Sequence, residues 1–127
     1  MFQINYRALK GDEKPGGVIS FMVKKVGITL AQIRHIALSL PNAVEMRHHD
    51  IPSFRVNNRI FETIWDKDHL NVMLDPVQIF DTAEKYPRVC SVFWWGRRPR
   101  CVQVNLQLAT LSLVKELLKE AWQRKAS

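Results

Sequence analysis

The sequence predicts one α+β domain with helices packed on one face of an antiparallel sheet. Two observations carry that prediction. Hydrophobic spacing switches along the chain from a helical repeat to strict alternation and back, and the alternating stretches are joined by tight-turn residues rather than by helical crossovers. Length supports it: 127 residues, 46% hydrophobic and 24% charged, make about one domain that can bury its own core. The expected order is α-β-β-β-β-α-β-β-α.

Residues 1–28 read as an N-terminal extension and residues 29–127 as the domain. Gly11-Asp12-Glu13-Lys14-Pro15-Gly16-Gly17 is linker chemistry, because Gly and Pro break either regular structure. Val18 to Val23 reads as an edge strand or as an apolar segment laid on the domain. The domain opens at Thr29, which with Gln32 has the spacing of a capping box. Leu30, Ile33, Ile36, Ala37 and Leu40 then recur at helical spacing, and Pro41-Asn42 stops the helix.

From Val44 to Leu74 the period is two. Val44 and Met46 alternate with Glu45 and Arg47, and Phe54 and Val56 with Ser53 and Arg55. Asn57-Asn58 can supply the left-handed residues of a tight hairpin turn. Ile60 to Trp65 returns as a strand rich in β-branched and aromatic residues. Asp66-Lys67-Asp68 turns the chain, and Leu70, Val72 and Leu74 alternate after it. Asp75-Pro76 then has the form of a helix N-cap with proline in the first turn. Val77, Phe80 and Ala83 follow before Tyr86-Pro87 closes a helix of about ten residues. Val89 to Trp94 and Cys101 to Leu106 pair as a second hairpin. A last helix runs from about Leu111 to Arg124, with Leu113, Val114, Leu117, Leu118, Ala121 and Trp122 on one stripe.

Charge is unevenly spread. The net formal charge is +7: residues 1–28 carry +3, residues 29–96 carry −1 and residues 97–127 carry +5. An excess placed at the two ends favours polyanionic partners, although it can also serve solubility alone. No apolar run approaches the roughly 18 residues of a membrane span, and the start lacks the layout of a secretory signal. A cytoplasmic protein is expected. The two cysteines, Cys90 and Cys101, could face each other across the second hairpin; free buried thiols are the expected state in that compartment.

The order of these motifs resembles the MmcQ/YjbR family of small bacterial proteins. The resemblance rests on Leu38-Ser39-Leu40-Pro41-Asn42-Ala43-Val44-Glu45, Pro52-Ser53-Phe54-Arg55-Val56, Arg59-Ile60-Phe61, Leu70-Asn71-Val72-Met73-Leu74-Asp75-Pro76 and the Trp95-Gly96 basic loop. It covers residues 29–125. It implies a fold comparable with bacterial frataxin and a role in DNA binding. Met73 departs from the family pattern, standing where a lysine is common, and Cys101 stands near a position often occupied by tryptophan.

The loop Trp94-Trp95-Gly96-Arg97-Arg98-Pro99-Arg100 is the leading functional candidate. Arg97, Arg98 and Arg100 can reach phosphates with planar, forked guanidinium groups, and Trp95 can stack on a base or wedge against a sugar. The competing reading puts the tryptophans in the core; either way at least one is expected to be buried. Lys24 and Lys25, with Arg7, Lys10 and Lys14, form a candidate basic arm, and Arg59 adds attraction at longer range. Lys115, Lys119, Arg124 and Lys125 can extend a basic face of the last helix.

Other chemistry is poorly supported by the pattern. Adjacent strand residues such as His48 and His49 point to opposite faces, so a shared metal ion is not expected. Ser53 and Ser91 lack a nucleophile elbow, Gly16-Gly17 lacks the lysine and helix of a P-loop, and the acids fall in turns and caps. The expectation is a non-enzymatic protein that needs no cofactor and binds nucleic acid, double-stranded DNA with little sequence specificity. The alternative is a protein-interaction or small-ligand module with an aromatic patch.

Overall fold

A computed structural model describes residues 26–127. The elements are α1 (Leu30–Ser39), β1 (Val44–His48), β2 (Ile51–Val56), β3 (Arg59–Asp66), β4 (His69–Val72), α2 (Pro76–Lys85), β5 (Cys90–Trp95), β6 (Arg98–Asn105) and α3 (Leu111–Ala126). Six antiparallel strands form one sheet in the order β1-β2-β3-β4-β6-β5, so the element order matches the sequence expectation.

Local chemistry sets the boundaries. Thr29 and Gln32 exchange the two bonds of a capping box: the Gln32 amide donates to Thr29 Oγ1 at 3.1 Å, and the Thr29 amide donates to Gln32 Oε1 at 2.9 Å. Asp75 and Gln78 repeat the device at the start of α2, and Thr110 caps α3 by accepting from the Leu113 amide. Each cap satisfies backbone donors that a helix end leaves free. Asn57 and Asn58 have φ of 52° and 60°, as a two-residue hairpin turn of right-handed strands requires. His49 and Asp50, with φ of 49° and 67°, make a second turn of this kind between β1 and β2.

The core lies between the helices and one sheet face. Phe54, Ile64, Leu70, Val72, Val102 and Val104 meet Ile33, Ile36, Ala37, Ile79, Val114, Leu117 and Leu118. On α2 the buried positions are Ile79 and Thr82, whereas Val77 and Phe80 are exposed. Gly27 and Ile28 also join the domain: their amides donate to the carbonyls of Ala109 and Leu106, and Ile28 is buried. Residues 1–25 of the N-terminal extension, including the Val18–Val23 segment, lie outside the described residues.

Three slips of register shape the sheet. Phe54 pairs with Glu62 but Arg55 pairs with Ile60, so Phe61 is an extra residue on β3. Ile64 pairs with Leu70 but Asp66 pairs with His69, leaving Trp65 extra. Phe93 pairs with Cys101 but Trp94 pairs with Pro99, leaving Arg100 extra on β6. An inserted residue interrupts alternation and re-aims the side chains beside it. At the first slip the consecutive residues Phe61 and Glu62 are both fully buried.

The cysteines do not oppose each other. Cys90 pairs with Val104 and Cys101 with Phe93, so the thiols sit three pairs apart on opposite faces of the sheet. Both are free and buried. Burial pushes the Cys90 thiol up to about 11 and the Cys101 thiol up to about 12, the latter against the opposing pull of Arg100. Since the thiolate is the reactive form, the native protein at pH 8 should react with a thiol-specific disulfide reagent only over hours, with both thiols reacting within minutes once denatured. Immediate reaction of either in the native state would contradict the packing.

Candidate nucleic-acid interface

A two-layer fold covers one face of its sheet, and here the other face carries no helix among the described residues. Its floor is small and buried at Thr63, Asn71 and Cys101, and its walls are large: Trp65, Phe93, Trp95 and Met73. Small residues beneath large ones leave a hollow of about 610 Å³, within the range of ligand sites. The Trp65 and Phe93 rings meet edge to face with centroids 5.1 Å apart. Trp65 is 46% exposed and Trp95 70% exposed, so both present ring surface to solvent. In the floor, Gln103 donates to Asn71 Oδ1 at 3.0 Å, a cross-strand pair between β6 and β4.

Two further depressions, of about 470 and 370 Å³, adjoin the hollow and share Met73 and Arg100 with it. Their walls are cationic. Arg55 from β2, Arg59 from β3, Arg98 and Arg100 from β6, and Arg124 and Lys125 from α3 come together at the end of the sheet that carries the Asn57-Asn58 and Gly96-Arg97 turns. Ionisation reports the same crowding. Burial, then Arg124, Arg59 and Arg100, hold the Lys125 ammonium below its ordinary value. Burial, then His49, Arg55 and Arg100, do the same to the His48 imidazole. The Arg100 guanidinium carbon stands 5.8 Å from the centre of a Trp95 ring, so cation and indole share one surface.

Several sequence expectations need correction. The loop from Trp94 to Arg100 is a two-residue turn, Gly96-Arg97, with the remaining residues in β5 and β6. Gly96 adopts φ 61°, where a Cβ would be strained though nothing lies within 4 Å of it. Neither tryptophan is buried: Trp94 is 50% exposed against Phe80 of α2, and Trp95 lies on the sheet face that no described helix covers. The reason is position, since β5 is an edge strand and its last residues run to the hairpin tip. His48 and His49 do not diverge. His49 sits in a turn, and the two rings lie 4.3 Å apart at the rim of the hollow. Among the described residues no group of three or more His, Cys, Asp or Glu could hold a metal ion.

Of the predicted binding residues, Trp95, Arg98 and Arg100 line these depressions, and Arg97 is exposed at the adjacent turn. Arg59 lies in the same cluster, but one Nη also donates to the Lys125 and Ser127 carbonyls at the end of α3. Its charge therefore serves the helix terminus as well. Lys24 and Lys25 lie outside the described residues. Sequence reasoning missed Trp65, Phe93, Arg55 and Lys125 as neighbours of the loop. One signal was available: Val92-Phe93-Trp94-Trp95 is apolar on both faces of its strand, and a two-layer fold buries only one.

The fold and its open face define an α+β domain with a six-stranded antiparallel sheet, helices on one side, and an aromatic and cationic surface on the other. A family model described as YjbR matches residues 38–124, and the chain belongs to that family. Among solved structures, the Deinococcus radiodurans protein DR2400, which carries a domain described as DUF419, is similar at a TM-score of 0.65 and 19% identity, over 79% of this chain and 80% of that one. At that identity the likeness is one of fold. No curated protein matches the sequence. No described helix is long and apolar enough to cross a membrane.

Proposed function

We propose that this chain binds nucleic acid, with little sequence specificity, through the cationic end of its sheet. One observation carries the reading: six Arg and Lys side chains from four separate elements converge around Met73 and Arg100. Bringing like charges together costs energy that an anionic partner returns, and the release of condensed counterions from phosphates drives such binding. Flexible Arg side chains on strand ends contact the backbone without reading bases, so discrimination between sequences is weak.

The test is a fluorescence anisotropy titration of the full chain with a short random duplex at low and moderate salt, beside a variant with Arg97, Arg98 and Arg100 all changed to Gln. Binding that weakens with salt and is lost in the variant, with unchanged circular dichroism, is the expected result. Absence of binding to any oligonucleotide at low salt would reject the reading. A second reading, an apolar ligand or peptide, draws on the exposed indole of Trp95 in an apolar hollow. It predicts binding that salt barely changes.

A further inference from the structure

The cationic end accounts for phosphates but leaves the aromatic hollow beside it unexplained. A duplex has nothing to offer that hollow. Its bases are stacked inside, and its outer surface is solvated sugar and phosphate, which indole and phenyl rings do not favour. An unpaired strand exposes the π-face of every base, and stacking on aromatic side chains is tolerant of sequence.

We infer that the hollow on the open sheet face takes unpaired bases, and that the chain prefers single-stranded to duplex nucleic acid. The inference rests on the nucleic-acid reading above. Trp95 is the stacking surface nearest the phosphates, with the Arg100 guanidinium 5.8 Å from its ring. Trp65 and Phe93 continue the aromatic wall away from the cationic end. Met73 and Arg100 line the hollow and both cationic depressions, so one strand can place a base against the indoles and its phosphate against Arg100 without a gap. Arg100 reaches this face beside Cys101 through a slip of register. An apolar peptide would suit the aromatic wall but would leave the cations beside it unmatched, so charge complementarity favours a polyanion.

The experiment compares a labelled random single strand with the duplex made from it, at one salt concentration, using the full chain, Trp95→Ala and Trp95→Phe. Trp95 is largely exposed, so these changes should leave the fold intact, and circular dichroism checks that. The single strand should bind the unchanged protein about ten-fold or more tightly than the duplex. Trp95→Ala should lose roughly 5- to 150-fold on the single strand and little on the duplex, with Trp95→Phe recovering part of the loss. Equal affinity for the two forms, or an equal loss on both in Trp95→Ala, overturns the inference and leaves the nucleic-acid reading standing. Failure of both oligonucleotides to bind at low salt overturns both. Salt-independent binding of an apolar peptide in their place assigns the hollow to a protein partner.

Discussion

Replacing Glu62 with Met should stabilise the fold at pH 7 by about 1–3 kcal/mol, the usual cost of a buried polar group without a partner. Glu62 is fully buried in the middle of β3, between Phe54 of β2 and Val72 of β4, and neither carboxyl oxygen has a hydrogen-bond partner among the described residues. Burial, with a smaller push from Glu45, raises its pKa well above the ordinary 4.5. The folded protein therefore holds it as the neutral acid at pH values where the unfolded chain has already ionised it. Folded protein binds more protons than unfolded protein in that window, so stability falls as pH rises from about the ordinary carboxylate value through the folded one. Below the window the contribution is fully present, and above it the loss is complete. Thermal unfolding of the native protein, Glu62→Met and Glu62→Gln at several pH values from 5 to 8 tests this. The Met variant should melt higher by roughly 4–8 °C per kcal/mol, and the difference between native and Gln proteins should shift with pH against the native form. A native protein that gains stability relative to Glu62→Gln as pH rises would contradict the argument.

Salt should act on the two halves of the candidate surface differently. Four to six phosphate contacts give a log–log slope of roughly −3 to −5, depending on strandedness, so affinity should fall by around a hundred-fold or more between 50 and 200 mM salt. Changing Arg98, Arg100 and Lys125 to Gln should make that slope shallower by two to three, because each removes one counterion-releasing contact. Trp95→Ala should lower affinity and leave the slope unchanged, because stacking releases no counterions. Titrations of one labelled single strand at four salt concentrations separate the two behaviours. A slope that the triple change leaves intact would place the phosphates elsewhere on the chain.

The open face also explains a feature that has no role in the core. Met73 departs from the lysine common at its position in the resembled family, and it lies where the three depressions meet. An apolar side chain there extends the aromatic wall toward the cations. Arg34 and Glu45, by contrast, pair at 3.2 Å across α1 and β1, away from this surface. Such an exposed pair adds at most about 1 kcal/mol.

Much of the fold was legible from neighbours in sequence. The Thr29 capping box, the Asp75-Pro76 helix start and the Asn57-Asn58 turn each depend on residues within three or four positions, and each stands where the sequence placed it. Helical spacing on α1 and α3 and alternation on β2 and β4 are equally local, since they follow from the geometry of one element. The positive loop was legible as composition, because Arg97, Arg98 and Arg100 are close along the chain.

Tertiary structure alone decided the rest. Register belongs to pairs of strands, so a slip at Phe61, Trp65 or Arg100 leaves no mark in the alternation of either strand read singly. Those slips bury Phe61 beside Glu62 and bring Arg100 to the hollow beside Cys101. The meeting of Arg55 and Arg59 with Lys125, some 70 residues away in sequence, depends on the end of α3 returning to the first hairpin turn, where Asn57 donates to the Ala126 carbonyl at 3.1 Å. Composition determined that the chain is basic; strand order, register and the return of the last helix determined that its charge converges beside an aromatic face.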